Sequence, residues 1–243
     1  MSRKSGCVLF VTAALVMLAA APGAQTTADE IVARNLSAKG GVERLKALTT
    51  ARITGKLVAQ GREVPMTVWS KRPNLMRRQL LVEGQKLING FDGTTLWAIG
   101  PGMGDKAQEV TGPQADMAKD EAEFDNVFVD YKEKGHSVEL VGTETIDGRT
   151  VHHLKLTRKN GKVQHHYIDA ANGLEVRIAT QVERGGSKGE FVTDFADHRQ
   201  VDGLTVPFTM RQTMNGTPGP QFVLEKVEFN VPIDDTLFKM PRQ

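Results

Sequence analysis

Two pairs of adjacent histidines, His152-His153 and His165-His166, hold four of the six histidines in the chain and invite a metal hypothesis. They flank Asn160-Gly161, a dipeptide suited to a two-residue hairpin turn. With that turn, Lys159 faces Lys162, Leu156 faces His165 and His152 faces Asp169. One face then carries His152, Leu154, Leu156, Val163, His165, Tyr167 and Asp169. The other carries His153, Lys155, Gln164, His166 and Ile168. Each face holds two histidines on opposite strands, not directly across from one another. A closed zinc site needs four ligands at about 2.0–2.3 Å, and a catalytic one needs three. His152 with Asp169 supplies two. No metal or other cofactor is expected, and the pairs read as amphipathic side chains on a half-polar sheet.

Other chemistries find less support. There is no Gly-x-Ser-x-Gly elbow, and the single cysteine, Cys7, lies in the N-terminal leader. Asp234-Asp235 reads as the first turn of a short helix, where carboxylates complement the dipole. Gly100-Pro101-Gly102-Met103-Gly104 lacks the Lys-Ser/Thr and the strand–helix setting of a phosphate loop. No residue is nominated for catalysis, and the chain reads as a non-enzyme.

The elements around these residues are marked by a recurrent turn dipeptide. Asp147-Gly148, Asn160-Gly161, Asn172-Gly173, Gly185-Gly186, Asp202-Gly203 and Asn215-Gly216 start 13, 12, 13, 17 and 13 residues apart. Such pairs supply positive φ, and the stretches between them suit strands of about 33 Å. Earlier strands run from about Ala51, through Val64–Val68 and Leu75–Glu83, to a hairpin about Asp92-Gly93. The last strand, Gln221–Asn230, changes face near Glu225-Lys226, which predicts a bulge. The pattern predicts about twelve antiparallel strands that twist and curl into one deep cup or barrel around an apolar cavity.

Helices interrupt the strands at two places. Thr27-Ala28-Asp29-Glu30 is a capping box, followed by the stripe Ala28, Ile31, Val32 and Leu36 and stopped by Gly40-Gly41. Between Pro113 and about Lys134 the period changes to helical. Met117, Phe124, Val127, Phe128 and Tyr131 form its apolar stripe and are the candidate lid over the mouth of the cup.

Residues 1–24 read as a cleavable signal peptide ahead of one domain at 25–243. Arg3 and Lys4 precede a thirteen-residue apolar run, Val8 to Ala20, which is too short to span a bilayer comfortably. Ala21-Pro22-Gly23-Ala24 allows cleavage after Gly23 or after Ala24. The expected compartment is the periplasm. Loss of Arg3 and Lys4 leaves 29 of the 31 basic residues, against 29 acidic ones. A net charge of zero speaks against nucleic acid and against a strongly anionic membrane surface.

What remains is apolar surface in alternating rows. The candidate cavity lining is Ile53, Leu57, Met66, Val68, Trp97, Val176, Ile178, Phe191, Phe195, Val206, Phe208 and Met210. Methionine suits a pocket for variable acyl chains, being flexible and polarizable.

Lys71-Arg72-Pro73 with Arg77, then Phe91-Asp92-Gly93 and Trp97, resembles the first half of the periplasmic outer-membrane lipoprotein-sorting (LolA/LolB-like) proteins. Asp169 to Leu174 resembles their later Asp-x-x-Asn-Gly turn. Phe195-Ala196-Asp197-His198-Arg199, Val201-Asp202-Gly203-Leu204 and Pro207 resemble a strand-turn-strand of that family. Asn230 to Asp235 with Phe238 and Pro241 resembles its closing segment. The resemblance implies an incomplete barrel wrapped over helices, with an acyl-binding cavity and neither catalysis nor cofactor. It also implies an arginine near the mouth that holds the lid, with Arg52 and Arg77 both open for that place. The expected partners are lipid or lipoprotein acyl chains and a membrane-bound donor and acceptor, with the protein itself a monomer. The alternative is a non-catalytic envelope sensor or interaction module that binds a protein partner on the same fold.

Overall fold

A computed structural model describes residues 26–103, 106–184 and 187–241. Residues 1–24, expected to be a signal peptide, and Gly104 and Gly185-Gly186 lie outside the described residues. The chain opens with helix α1 (Ala28–Ala38) and the short α2 (Val42–Ala47). Both bonds of the Thr27/Glu30 capping box are present, and α1 buries Ile31, Val32, Asn35 and Leu36.

Six strands follow: β1 (Thr50–Ala59), β2 (Arg62–Lys71), β3 (Leu75–Val82), β4 (Gln85–Phe91), β5 (Leu96–Ile99) and β6 (Gln108–Val110). Helix α3 (Pro113–Glu121) separates them from seven more. These are β7 (Ser137–Ile146), β8 (Arg149–Thr157), β9 (Val163–Asp169), β10 (Glu175–Arg184), β11 (Ser187–Val201), β12 (Leu204–Met214) and β13 (Thr217–Phe229). All described pairings are antiparallel in one thirteen-stranded sheet of order 6-5-4-3-2-1-13-12-11-10-9-8-7. Strands β6 and β7 are its edges, so the barrel is open. Only β1 against β13 joins distant parts of the chain, with Ala51 opposite Phe229.

The turn dipeptides behave in two ways. Asp147, Asp202 and Asn215 have φ of 47°, 51° and 50°, and their glycines have 77°, 78° and 75°. These are the two-residue turns that the spacing predicts. At Asn160-Gly161 only the glycine is left-handed, at 83°. Arg158 N donates to Lys162 O at 2.8 Å, so three residues, not two, make that connection. Every pairing between β8 and β9 shifts by one. His152 faces Ile168 rather than Asp169, and Lys155 rather than Leu156 faces His165. The bulge expected near Glu225 is present, because Thr54 pairs with Lys226 and Gly55 with Leu224.

The mid-chain helix is shorter than its periodicity suggests. It ends at Glu121, and the chain continues through turns to Gly135. Long-range bonds draw this segment out of helix. Phe124 N donates to Pro73 O at 3.3 Å, Arg72 pairs with Asp125 at 2.7 Å, and Glu123 accepts from Lys134 at 2.9 Å and Arg158 at 2.7 Å. The helical spacing of Phe124, Val127, Phe128 and Tyr131 reflects one side of a turn-rich segment packed inward.

Candidate functional site: a concave apolar trough

Register carried from strand to strand sorts side chains onto two faces, because alternate residues point oppositely. Ile53 pairs with Val68 and Val227, Leu57 with Phe222, and Phe222 with Met210. Met210 pairs with Phe195, and Thr193 on the same side pairs with Ile178. Thus Ile53, Leu57, Met66, Val68, Val176, Ile178, Phe191, Phe195, Val206, Phe208 and Met210 share the concave face. Met66, Val176 and Phe208 are buried, and the rest are half-buried. Met66, Phe208, Leu224 and Val227 form the floor, with Ile53, Val68, Leu80, Val206, Met210 and Phe222 packed on them.

Two caps border this floor. At one end, α1 and residues 127–131 pack on β8 and β9 through Ile31, Val32, Leu36, Phe128, Tyr131, Leu154, Leu156 and Ile168. At the other, the small side chains Ala118 and Ala122 of α3 lie on Met76, Phe91 and Leu96. Between them most of the apolar row is only half-buried, which leaves it as a trough between the caps. Two cavities of about 450 and 480 Å³ lie elsewhere. One is beneath residues 231–237 beside Arg52, Trp69 and Arg77, and the other is beside Thr27 and His152.

Trp97 does not belong to the trough. It pairs with Gly90, and Gly90 with Arg77, which places it on the convex face. There it is fully buried, its indole N–H donating to Phe238 O at 2.7 Å. The five lid candidates also separate. Phe128 and Tyr131 are core residues beneath α1 with Val127 against them, while Phe124 lies under the Arg72 guanidinium at 5.2 Å. Met117 is on α3, but its side chain lies outside the described residues. Neither Arg52 nor Arg77 meets that segment. Arg52 pairs with Glu228 at 2.7 Å, and Arg77 lies over Trp69 and Trp97. Arg72 fastens it together with Arg158, through Asp125 and Glu123.

Polar groups interrupt the concave face at several points, among them Thr193, Gln212 and Arg199, whose guanidinium lies over the Phe208 ring at 4.4 Å. A bulge in β10 puts both Glu175 and Val176 inward, since Glu175 pairs with Ile168 and Arg177 with Tyr167. Glu175 meets His166 Nδ1 at 2.6 Å and Lys39 Nζ at 3.2 Å. Burial pushes its pKa up, but Lys39 and His166 outweigh burial and hold it at about 2. The trio ties the end of α1 to β10. Arg78 is a concave residue that the sequence reading passed over. Two consecutive arginines on a strand must point to opposite faces, and that signal was present in Arg77-Arg78.

The convex face carries His153 and His165, while His152 shares the concave face with Ile168. With the corrected register, His153 Nε2 lies 2.7 Å from His165 Nδ1, and His153 Nδ1 lies 2.5 Å from Glu144. Tyr167 stacks on His153 with ring centroids 4.5 Å apart. Burial, then the neighbouring His153, lowers the His165 pKa. This chain can share a proton, but it lies on the sheet face opposite the trough. Among the described residues, no three His, Cys, Asp or Glu side chains are grouped to hold a metal ion.

The chain matches no protein-family model and no curated protein sequence. Solved structures do match. A DUF1329 family protein from Desulfovibrio piger superposes with a TM-score of 0.60 at 13% identity, covering 87% of this chain and 97% of that one. A putative outer membrane lipoprotein-sorting protein domain from Vibrio parahaemolyticus gives 0.59 at 14%, with 86% and 94% covered. A LolA superfamily protein from Nitrosomonas europaea gives 0.58 at 13%, with 88% and 98% covered. This chain is therefore built on the open-barrel fold shared by DUF1329, LolA-superfamily and lipoprotein-sorting proteins.

Proposed function

We propose that this protein is a soluble periplasmic carrier that holds lipid, or the acyl chains of a lipoprotein, in the concave trough and delivers them towards the outer membrane. The observation that carries the reading is the row of half-buried apolar side chains left open between the two helical caps. Apolar surface of that extent is unfavourable in water, and each methylene laid on it contributes roughly 0.8 kcal/mol. The open-barrel fold and the apolar N-terminal leader support the same reading. The carrier needs no catalytic group. It takes cargo from a membrane-bound donor, shields it as a monomer, and releases it to an acceptor that offers more apolar contact.

Native mass spectrometry of the protein purified from its own envelope tests this. A lipid or lipoprotein adduct is expected, and it should fall at least tenfold in Ile178→Asp, which places a carboxylate in the trough. A bare chain that co-purifies with a protein partner would instead establish the interaction-module reading and remove the carrier.

A further inference from the structure

Arg77 and Arg78 are neighbours in β3 with opposite fates. Arg77, on the convex side, stacks against two tryptophans and donates to Leu237 O at 3.0 Å. Arg78 pairs with Val68 on one side and Asn89 on the other, so it faces the trough. Its neighbours along the strand on that face are Met76 and Leu80. Its Nε is buried without a partner, as is that of Arg77, but unlike Arg77 it has no hydrogen bond, ion pair or ring contact to any described residue. Asn89, directly opposite, is half-buried, and its amide has no hydrogen bond to a described residue either.

Buried donors are almost always satisfied, and Arg78 Nε is not, while the rest of this half-buried guanidinium has no counter-charge among the described residues. An anion supplies the missing acceptor and the counter-charge. The guanidinium fork matches the two oxygens of a carboxylate or phosphate, and the Asn89 amide adds a further N–H donor beside it. Arg78 stands where the α3 cap meets the open floor, since Val68 touches both clusters. From β3 to β11 the floor spans five strand spacings, about 24 Å, along which an extended acyl chain can lie.

We propose that Arg78 and Asn89 form an oxyanion subsite at the α3 end of the trough. The cargo is then an anionic amphiphile whose carboxylate or phosphate sits there while its acyl chain runs towards Phe195. The inference rests on the carrier reading above and adds the charge of the cargo.

The test uses cis-parinaric acid and its methyl ester, titrated into the protein at pH 8 and followed by probe fluorescence. The acid should bind ten- to a hundredfold more tightly than the ester, the range expected for hydrogen bonds to a charged group. Arg78→Met should abolish that preference, with an unchanged far-UV circular dichroism spectrum showing that the variant is folded. Arg78→Lys should restore part of it, and Asn89→Leu should reduce it less than Arg78→Met. Displacement of the bound acid by oleate but not by short-chain phosphatidylglycerol assigns the subsite to a carboxylate, and tighter competition by phosphatidylglycerol assigns it to a phosphodiester. Equal affinity for acid and ester, or a preference that survives in Arg78→Met, overturns the inference and leaves the carrier reading standing. Failure of every probe to bind overturns the carrier reading, and the inference with it.

Discussion

Glu175→Gln removes one charge from the point where α1 is fastened to the sheet. Glu175 is 7% exposed, and it meets the Lys39 ammonium at 3.2 Å and His166 at 2.6 Å. Its folded pKa is depressed from an ordinary 4.5 to about 2. A depressed carboxylate stabilises fully above its unfolded pKa, and that stability is lost as the pH falls through the folded value. The window is therefore about pH 4.5 down to about 2. At ~1.4 kcal/mol per unit, the shift corresponds to about 3 kcal/mol. Breaking a buried pair by removing one partner costs ~3–5 kcal/mol, because the other charge stays buried. Lys39, 16% exposed, would be left in that state, and His166 would lose the carboxylate partner of its Nδ1. Against a total stability of roughly 5–15 kcal/mol the effect is large. Urea unfolding of both proteins, followed by circular dichroism from pH 7 to pH 2, measures it. Wild type should be more stable by about 3 kcal/mol at pH 7, and the gap should close towards pH 2. A gap that is absent, or that stays constant with pH, refutes the coupling of α1 to β10 through this carboxylate.

Three further outcomes follow from the packing. Phe128→Ala should cost ~3–5 kcal/mol, as for a fully buried aromatic, whereas Phe191→Ala on the half-buried trough wall should cost less; denaturant midpoints compare them. Amide exchange should accordingly be slow at residues 128–131, and equally fast exchange there and in α3 would contradict the core placement of Phe128. Gly90→Ala would bring a Cβ to 2.3 Å from the Trp97 ring, so it should destabilise by ~1–3 kcal/mol and red-shift tryptophan emission. Unchanged emission would place Trp97 elsewhere. The imidazole of His165 should titrate below 6.5 by NMR, because burial and His153 oppose its protonation, and His153→Asn should move it back up.

Sequence alone determined the features that nearest neighbours decide. The Thr27/Glu30 cap, the left-handed turns at Asp147, Asp202 and Asn215, the bulge at Glu225 and the alternation of β10 and β12 all arise within a few residues. Together they specified an antiparallel, mostly β chain and placed most of the trough row on one face. Tertiary structure decided what depends on distant partners or on a count of one. A single extra loop residue at Asn160-Gly161 exchanged which histidines of β8 and β9 share a face, since side chains alternate with period two. The helical rhythm of residues 113–134 could not show that α3 stops at Glu121, because Pro73, Arg72 and Arg158 hold the following turns from far along the chain. Trp97 alternates as an apolar strand residue on either face, and only docking of Phe238 makes the convex side its dry one. The doublet Arg77-Arg78 marks locally that one arginine faces inward, but not which one, nor what surrounds it. The isolation of Arg78 among Val68, Met76 and Leu80 exists only once three strands are paired in register, because a charge is unpaired only with respect to everything that surrounds it.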